Sequence, residues 1–202
     1  MHSVLTIRDK LDMSGLPKLD PARHKLREHI LQHSLKTGTF TLKSGRTSNW
    51  FLDSKQTACR SDGIVLVSDV ALSMLPADID SIGGLTMGAD PVAFGIAAVA
   101  ATRGRALRSF SVRKESKDHG VTGRIAGALQ PGDRVAIVED TVTRGTSLFE
   151  AIEVVRAFGA TPVFITVIVD RVARVRQWLT KQISPTNQCS APQILATLLV
   201  HD

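Results

Sequence analysis

The chain has 202 residues, a length that suits one domain able to bury about 70 % of its unfolded surface. Hydrophobic residues make up 43 % and aromatics 4 %, with no Tyr, so the core must come from Val, Ile, Leu and Ala, which weakly favours an alternating strand–helix fold. The net charge of +6 leaves two partner classes open, a nucleic acid or a pocket for a substrate with several negative charges.

In chain order, residues 1–19 show no clear period and include Gly15 and Pro17, as expected of an N-terminal arm ahead of a single domain over residues 20–202. Asp20-Pro21 is a helix start, an N-cap followed by proline at the first helical position, and Leu26, Ile30 and Leu31 give the helix one apolar stripe. Thr39–Leu42 and Trp50–Leu52 read as short strands around the polar turn KSGRTS. A second helix is expected from about Ser61 to Leu75, and a third from Asp90-Pro91 to Thr102, ending near Gly104. Strands are expected at Ser81-Ile82, Ser109–Val112, Val135–Val138 and Val163–Val169. The last is almost continuously apolar, as a parallel strand buried on both faces would be. A helix from about Val172 to Ile183 and an edge strand at Ile194–Val200 complete the pattern. The alternation predicts a parallel α/β sheet with helices on both faces.

The stretch Val135–Ser147, VAIVEDTVTRGTS, carries the most chemistry. A buried strand ends in two carboxylates, Glu139 and Asp140. A loop of Thr, Gly and Ser follows, then a helical pattern from Leu148 to Phe158 closed by Gly159. That order builds an anion site at the carboxyl end of a parallel sheet. Backbone N–H groups and the Thr143, Thr146 and Ser147 hydroxyls face a phosphate in front of a helix N-terminus. The carboxylates lie one step away, where sugar hydroxyls or a magnesium-bound group could be held. No Lys follows Gly145, so this is not a P-loop; the missing second and third glycines exclude a dinucleotide fingerprint. An ordinary β–α turn with a Ser/Thr cap is the plain structural alternative.

Arg103, Arg105, Arg108, Arg113, Lys114, Lys117 and Arg124 crowd one region with only Phe110 among them. That favours an anionic small molecule over a stacking surface for single strands. Cys59 and Cys189 lie in no metal or redox spacing, so two free thiols in a reduced cytoplasm are the default. No signal peptide and no apolar run near the ~18 residues of a membrane span are found, so no membrane association is expected.

The motif V-A-I-V-E-D-x-V-T-x-G-x-S resembles the phosphoribosyl-diphosphate loop of the type I phosphoribosyltransferases. Three further segments narrow the resemblance to the orotate-specific members. RKESKDHG (113–120) is similar to their mobile catalytic loop, and FTLKSGRTSNWFLD (40–53) to their substrate segment. GGLTMGADPVA (83–93) is similar to a strand–loop segment of some members, and VDR (169–171) to a later orotate contact. The resemblance implies a type I phosphoribosyltransferase-like parallel sheet flanked by helices, with a small hood from the N-terminal segment. It implies transfer of phosphoribosyl from 5-phosphoribosyl 1-diphosphate to orotate, with Mg²⁺ chelated by the donor, in a homodimer with shared active sites and with nucleic acid an unlikely partner.

By the same resemblance the donor falls to Glu139, Asp140, Thr141, Val142, Thr143, Arg144, Gly145, Thr146 and Ser147, with Arg113, Lys114, Lys117 and His119 on its pyrophosphate. Lys117, His119 and Asp140 are the catalytic candidates, and Lys43, Phe51, Thr143 and Arg171 the orotate contacts. Such chemistry needs the 5′-phosphate fixed, the ribose held and the leaving pyrophosphate neutralised, with water excluded. Four cationic or potentially cationic groups within residues 113–119 would repel one another on a static surface, so a loop that closes on a polyanion is expected, flanked by Gly120, Gly123 and Gly127. The sequence departs from the family pattern at Met87, where many members carry Lys, at Leu52, at Thr141 and at Arg144. Two competing readings stay open: transfer to another base, and a regulator that senses the donor and binds nucleic acid.

Overall fold

The computed structural model describes residues 20–41, 45, 47–117, 123–170 and 193–196, with only the backbone of 116, 117 and 193–196. Helix α1 spans Pro21–His33; Asp20 caps it by accepting the Arg23 N–H at 3.0 Å, and Pro21 opens its first turn. The chain turns at Ser34 into an antiparallel pair, β1 (Leu35–Thr41) and β2 (Thr47–Leu52). Strand β2 alternates exposed and buried positions, which sends Trp50 and Leu52 into the core and leaves Phe51 outside against Phe40, ring centroids 5.6 Å apart. A short helix α2 (Lys55–Ala58) and a longer α3 (Ser61–Met74) follow.

The remaining strands form one six-stranded sheet: β3 (Ser81–Leu85), β4 (Arg108–Lys117), β5 (Gly123–Gly127), β6 (Arg134–Val142), β7 (Thr161–Asp170) and β8 (Gln193–Ala196). Their order is β5-β4-β3-β6-β7-β8, parallel throughout except for the antiparallel β4–β5 pair. Helix α4 (Ala89–Thr102) links β3 to β4, and α5 (Thr146–Ala157) links β6 to β7. Strand β6 shows why the sheet is covered on both faces. Ala136 and Val138 pack with residues of α1, α3 and α4, while Val135 and Ile137 pack with Leu148, Ile152 and Val155 of α5. A half-buried strand would have left one of those sets to solvent.

From β3 the chain crosses to β4 on one side, and the later β6 lies on the other. The carboxyl ends of β3 and β6 therefore flank the point where strand order reverses, the place in an open α/β sheet where ligands bind. Close packing there depends on Gly84: a Cβ would lie 2.2 Å from the Val138 carbonyl oxygen and 2.8 Å from the Ala89 Cβ.

The parallel α/β sheet with helices on both faces is as the sequence pattern predicts, and α1, α3 and α4 match their expected spans closely. Several details differ, among them these. Strands β1 and β2 are longer than Thr39–Leu42 and Trp50–Leu52, because pairing reaches back to Leu35↔Leu52. Helix α2 went unpredicted, as four residues carry no period. Strand β6 does not stop at Val138: its register with β7 continues to Val142↔Asp170, so Glu139 and Asp140 lie within the strand. Arg113 and Lys114 lie on β4 and not on a loop, and Gly123 and Gly127 belong to β5, because pairing runs from Phe110↔Gly127 to Lys117↔Gly123. The expected arm at 1–19 and helix at 172–183 lie outside the described residues. Of the expected strand at 194–200, the described part is β8, parallel to β7.

Candidate active site

Two carboxylates sit at the sheet's switch point, both more than nine-tenths buried: Glu139 is 6 % and Asp140 7 % exposed. Burial of this kind is costly unless each charge is answered. For Asp140 it is. Its Oδ2 accepts the Ser54 hydroxyl at 2.7 Å and the Lys55 ammonium at 3.0 Å, both brought in by the turn into α2. Its Oδ1 accepts the Thr141 N–H at 2.7 Å. Burial pushes the Asp140 carboxyl up, but the Ser54 and Lys55 hydrogen bonds outweigh it and hold the group below the usual carboxylate range. Lys55 is moved upward in turn: its own burial opposes the charge, and Asp140 prevails.

Glu139 is different. Burial first, and the Asp140 charge second, push its carboxyl up to about 8. The pair thus holds one firm negative charge and one proton that leaves near neutral pH. Gly88, just beyond β3, lies over both groups: a Cβ there would stand 2.5 Å from Glu139 Oε1 and 2.7 Å from Asp140 Oδ1. Next to it Asp90 ties the segment to β4, accepting Thr86 Oγ1 at 2.6 Å and Ser111 Oγ at 2.7 Å.

Directly after β6, Thr143 and Arg144 are exposed, and Gly145 takes a left-handed conformation (φ 77°, ψ 3°) at the N-cap of α5. Among the described residues no side chain caps that helix, and its first turn holds no acidic residue. Its leading N–H groups and positive dipole end are therefore open to an anion, beside the Thr146 and Ser147 hydroxyls. Val142 is 2 % exposed and packs into the core, so only its backbone can face a ligand.

No family model matches the chain. Individual relatives do. It is 41 % identical to the orotate phosphoribosyltransferase of Streptomyces avermitilis over 76 % of this chain and 85 % of that one. It is 37 % identical to the orotate phosphoribosyltransferase of Aquifex aeolicus over 79 % and 90 %. The chain belongs to the orotate phosphoribosyltransferase family. Among solved structures, the Mycobacterium tuberculosis orotate phosphoribosyltransferase bound to Fe(III) dicitrate superposes with a TM-score of 0.77 at 30 % identity, covering 88 % of this chain and 97 % of that one. The same enzyme in complex with 5-phospho-α-D-ribosyl 1-diphosphate gives 0.69 at 28 % identity, covering 88 % and 97 %.

Of the positions that sequence reasoning assigned to a site in this family member, the structure brings Glu139, Asp140 and Thr141 through Ser147 together around the end of β6. Arg113 and Lys114 lie on β4, two strands away in the sheet. Arg113 is half-buried, and its guanidinium donates to the Gly123 carbonyl at 3.2 Å. Arg124 braces it, donating to the Arg113 carbonyl at 2.8 Å and pairing with Glu150. Phe51 is 38 % exposed on β2, three residues before Ser54. Lys43, His119 and Arg171 lie outside the described residues, as does the side chain of Lys117. Sequence reasoning missed Ser54, Lys55 and Gly88. The segment DSK at 53–55 held the only signal, an exposed cation directly after the substrate-like segment, but a contact reaching 85 residues along the chain has no local signature.

Proposed function

We infer that the chain transfers phosphoribosyl from 5-phosphoribosyl 1-diphosphate to orotate, giving orotidine 5′-phosphate and pyrophosphate, a step of pyrimidine nucleotide biosynthesis. The observation that carries this reading is a buried carboxylate pair set beside an uncapped helix N-terminus at the sheet's switch point. The uncapped N–H groups and the hydroxyls at 143–147 receive the 5′-phosphate. Asp140 accepts from the ribose hydroxyls, and its fixed negative charge stabilises the cationic sugar as the leaving group departs. Arg113, Lys114, Lys117 and His119 offset the charge gathering on the pyrophosphate. Lys43, Phe51, Thr143 and Arg171 hold orotate, with Arg171 suited to grip its carboxylate through two parallel bonds.

Mg²⁺ fits this donor set. Its preferred ligands are oxygens, and Glu139 has no ion-pair partner of its own among the described residues, with a carboxyl that stays protonated up to about 8 until positive charge arrives. Glu139 and Asp140 are the residues that would hold it or its waters, and the bound ion spreads charge on the donor's diphosphate. The active unit is a homodimer in which Lys117 and His119 serve the neighbouring site, in a cytoplasmic enzyme organised as one domain after the arm at 1–19. Among the described residues no helix is long and apolar enough to cross a membrane. A spectrophotometric assay with orotate, donor and Mg²⁺ tests the reading: orotate should be consumed with pyrophosphate release. Turnover of uracil or a purine with none of orotate would overturn it.

A further inference from the structure

Away from the carboxylate pair, His29 and His33 share one face of α1, one turn apart, with rings 4.4 Å between centroids, and Asp62 at the start of α3 comes up against them. One ligand atom from each residue lies within 4.8 Å of the other two. His29 is 8 % exposed, and its Nε2 is buried with no hydrogen-bond partner among the described residues. Its Nδ1 lies 3.2 Å from Thr57 Oγ1. With its hydrogen on Nδ1, donated to Thr57, the ring turns an Nε2 lone pair toward the cluster; with the hydrogen on Nε2, the Thr57 hydroxyl donates to Nδ1 instead.

The His29 Nε2 lies 3.4 Å from Asp62 Oδ2. With Zn–N and Zn–O bonds of about 2.1 Å, two ligands of a tetrahedral ion stand roughly 3.4 Å apart, the separation found here. The other Asp62 oxygen is already committed, accepting the Gly63 N–H at 3.1 Å with Arg60 Nε 3.3 Å away, which turns Oδ2 toward the histidines.

We propose that His29, His33 and Asp62 form a zinc-type site, with three protein ligands and an open position filled by water. Two imidazoles and one carboxylate select a borderline transition ion over Mg²⁺. His33 is half-buried and Asp62 exposed, so the ion has a way in. The site clamps α1 to α3, and through Thr57, which also meets Ser34 Oγ at 2.7 Å, it steadies the short helix that carries Ser54 and Lys55 to Asp140.

The test is titration of the chelator-treated full chain with Co²⁺ and Zn²⁺ in excess Mg²⁺, following the visible bands of tetrahedral Co²⁺ and the heat of Zn²⁺ binding. One equivalent should bind with a Kd below about 100 μM, and the melting temperature should rise with Zn²⁺. His33→Ala and Asp62→Asn, both at accessible side chains, should each weaken binding by about tenfold or more, while Cys59→Ser should bind as the parent does. The proposal is overturned by absence of saturation up to about 1 mM, by unchanged affinity in both ligand variants, or by loss of the site in Cys59→Ser. His29→Gln serves as a further loss-of-ligand variant wherever its fold is intact by circular dichroism.

Discussion

The carboxyl end of β6 and the β4–β5 edge carry opposite charge and handle it in opposite ways. At β6, Asp140 is buried with its counter-charge built in, Lys55 and Ser54 arriving from a helix of four residues. On β4, Lys114 is exposed to water and needs no partner from the chain. The difference is one of solvent. A buried anion costs several kcal/mol unless its own protein answers it, whereas an exposed cation is already hydrated and can wait for a ligand. The acidic end is therefore preorganised, and in the proposed function the basic edge would gain its full effect when a polyanion displaces water from it.

The comparison breaks most visibly at Lys117, the last residue of β4. If this edge acts only on charge that gathers as pyrophosphate leaves, Lys117→Ala should fold normally and lose on the order of 10²-fold or more in kcat, with orotate binding little changed. Steady-state kinetics on the purified variant measures this. Near-parental turnover would remove the catalytic role from the edge.

A smaller effect should come from the acidic end's built-in partner. Lys55→Ala leaves the buried Asp140 with the Ser54 hydroxyl and the Thr141 N–H but no cation, so its carboxyl rises toward the ordinary range and the two acids begin to compete for one proton. The acid limb of the kcat/KM profile should move to higher pH, and donor KM should rise by about tenfold, with Lys55→Arg recovering part of both. The Lys55 side chain is 44 % exposed, so the change in stability should stay within about 1 kcal/mol. An unmoved pH profile would reduce Lys55 to a surface ion pair.

How far each region could be read from sequence follows the same divide. The β6 end was legible because its chemistry is contiguous: strand, two acids, hydroxyls, glycine and helix follow one another over Val135–Ser147. The burial of Val135–Val138 followed from its continuous apolar run, and that of Leu26 and Ile30 from the helical stripe on α1. Ser54, Lys55 and Gly88 were not legible, because the turn into α2 brings the first two to Asp140 and the pairing of β3 with β6 brings the third. The basic run at 113–124 was plain as charge, but the strands at its two ends, 113–117 and 123–124, were not, while 118–122 lie outside the described residues. Its cations and glycines hid a ladder in which Ser111↔Ala126 and Val112↔Ile125 pair antiparallel. Pairing between two polar, glycine-containing segments leaves no hydrophobic alternation to find.

The subtlest effect should come from Glu139, the one acid of the pair with no cation of its own among the described residues. Its carboxyl, ordinarily at 4.5, stands at about 8 in the folded chain. Below pH 4.5 it is protonated folded and unfolded alike and costs nothing. Between 4.5 and 8 the unfolded chain releases the proton while the folded chain keeps it, so stability falls steadily as pH rises. Above about 8 the full penalty is present. Glutamine of nearly the same shape carries no such penalty. Glu139→Gln should therefore match the parent in melting temperature at pH 4.5 and exceed it progressively toward pH 8. The gain should be on the order of 1 kcal/mol, or roughly 2–4 °C, because the two acids share one proton and relaxation of the site absorbs part of the cost. The same variant should bind the donor with Mg²⁺ more weakly, since the carboxylate that a cation would call into its charged form is gone. A uniform stability change across the pH range would show that Glu139 is ionised in the folded chain and that both acids of β6, not Asp140 alone, have their charge answered from within.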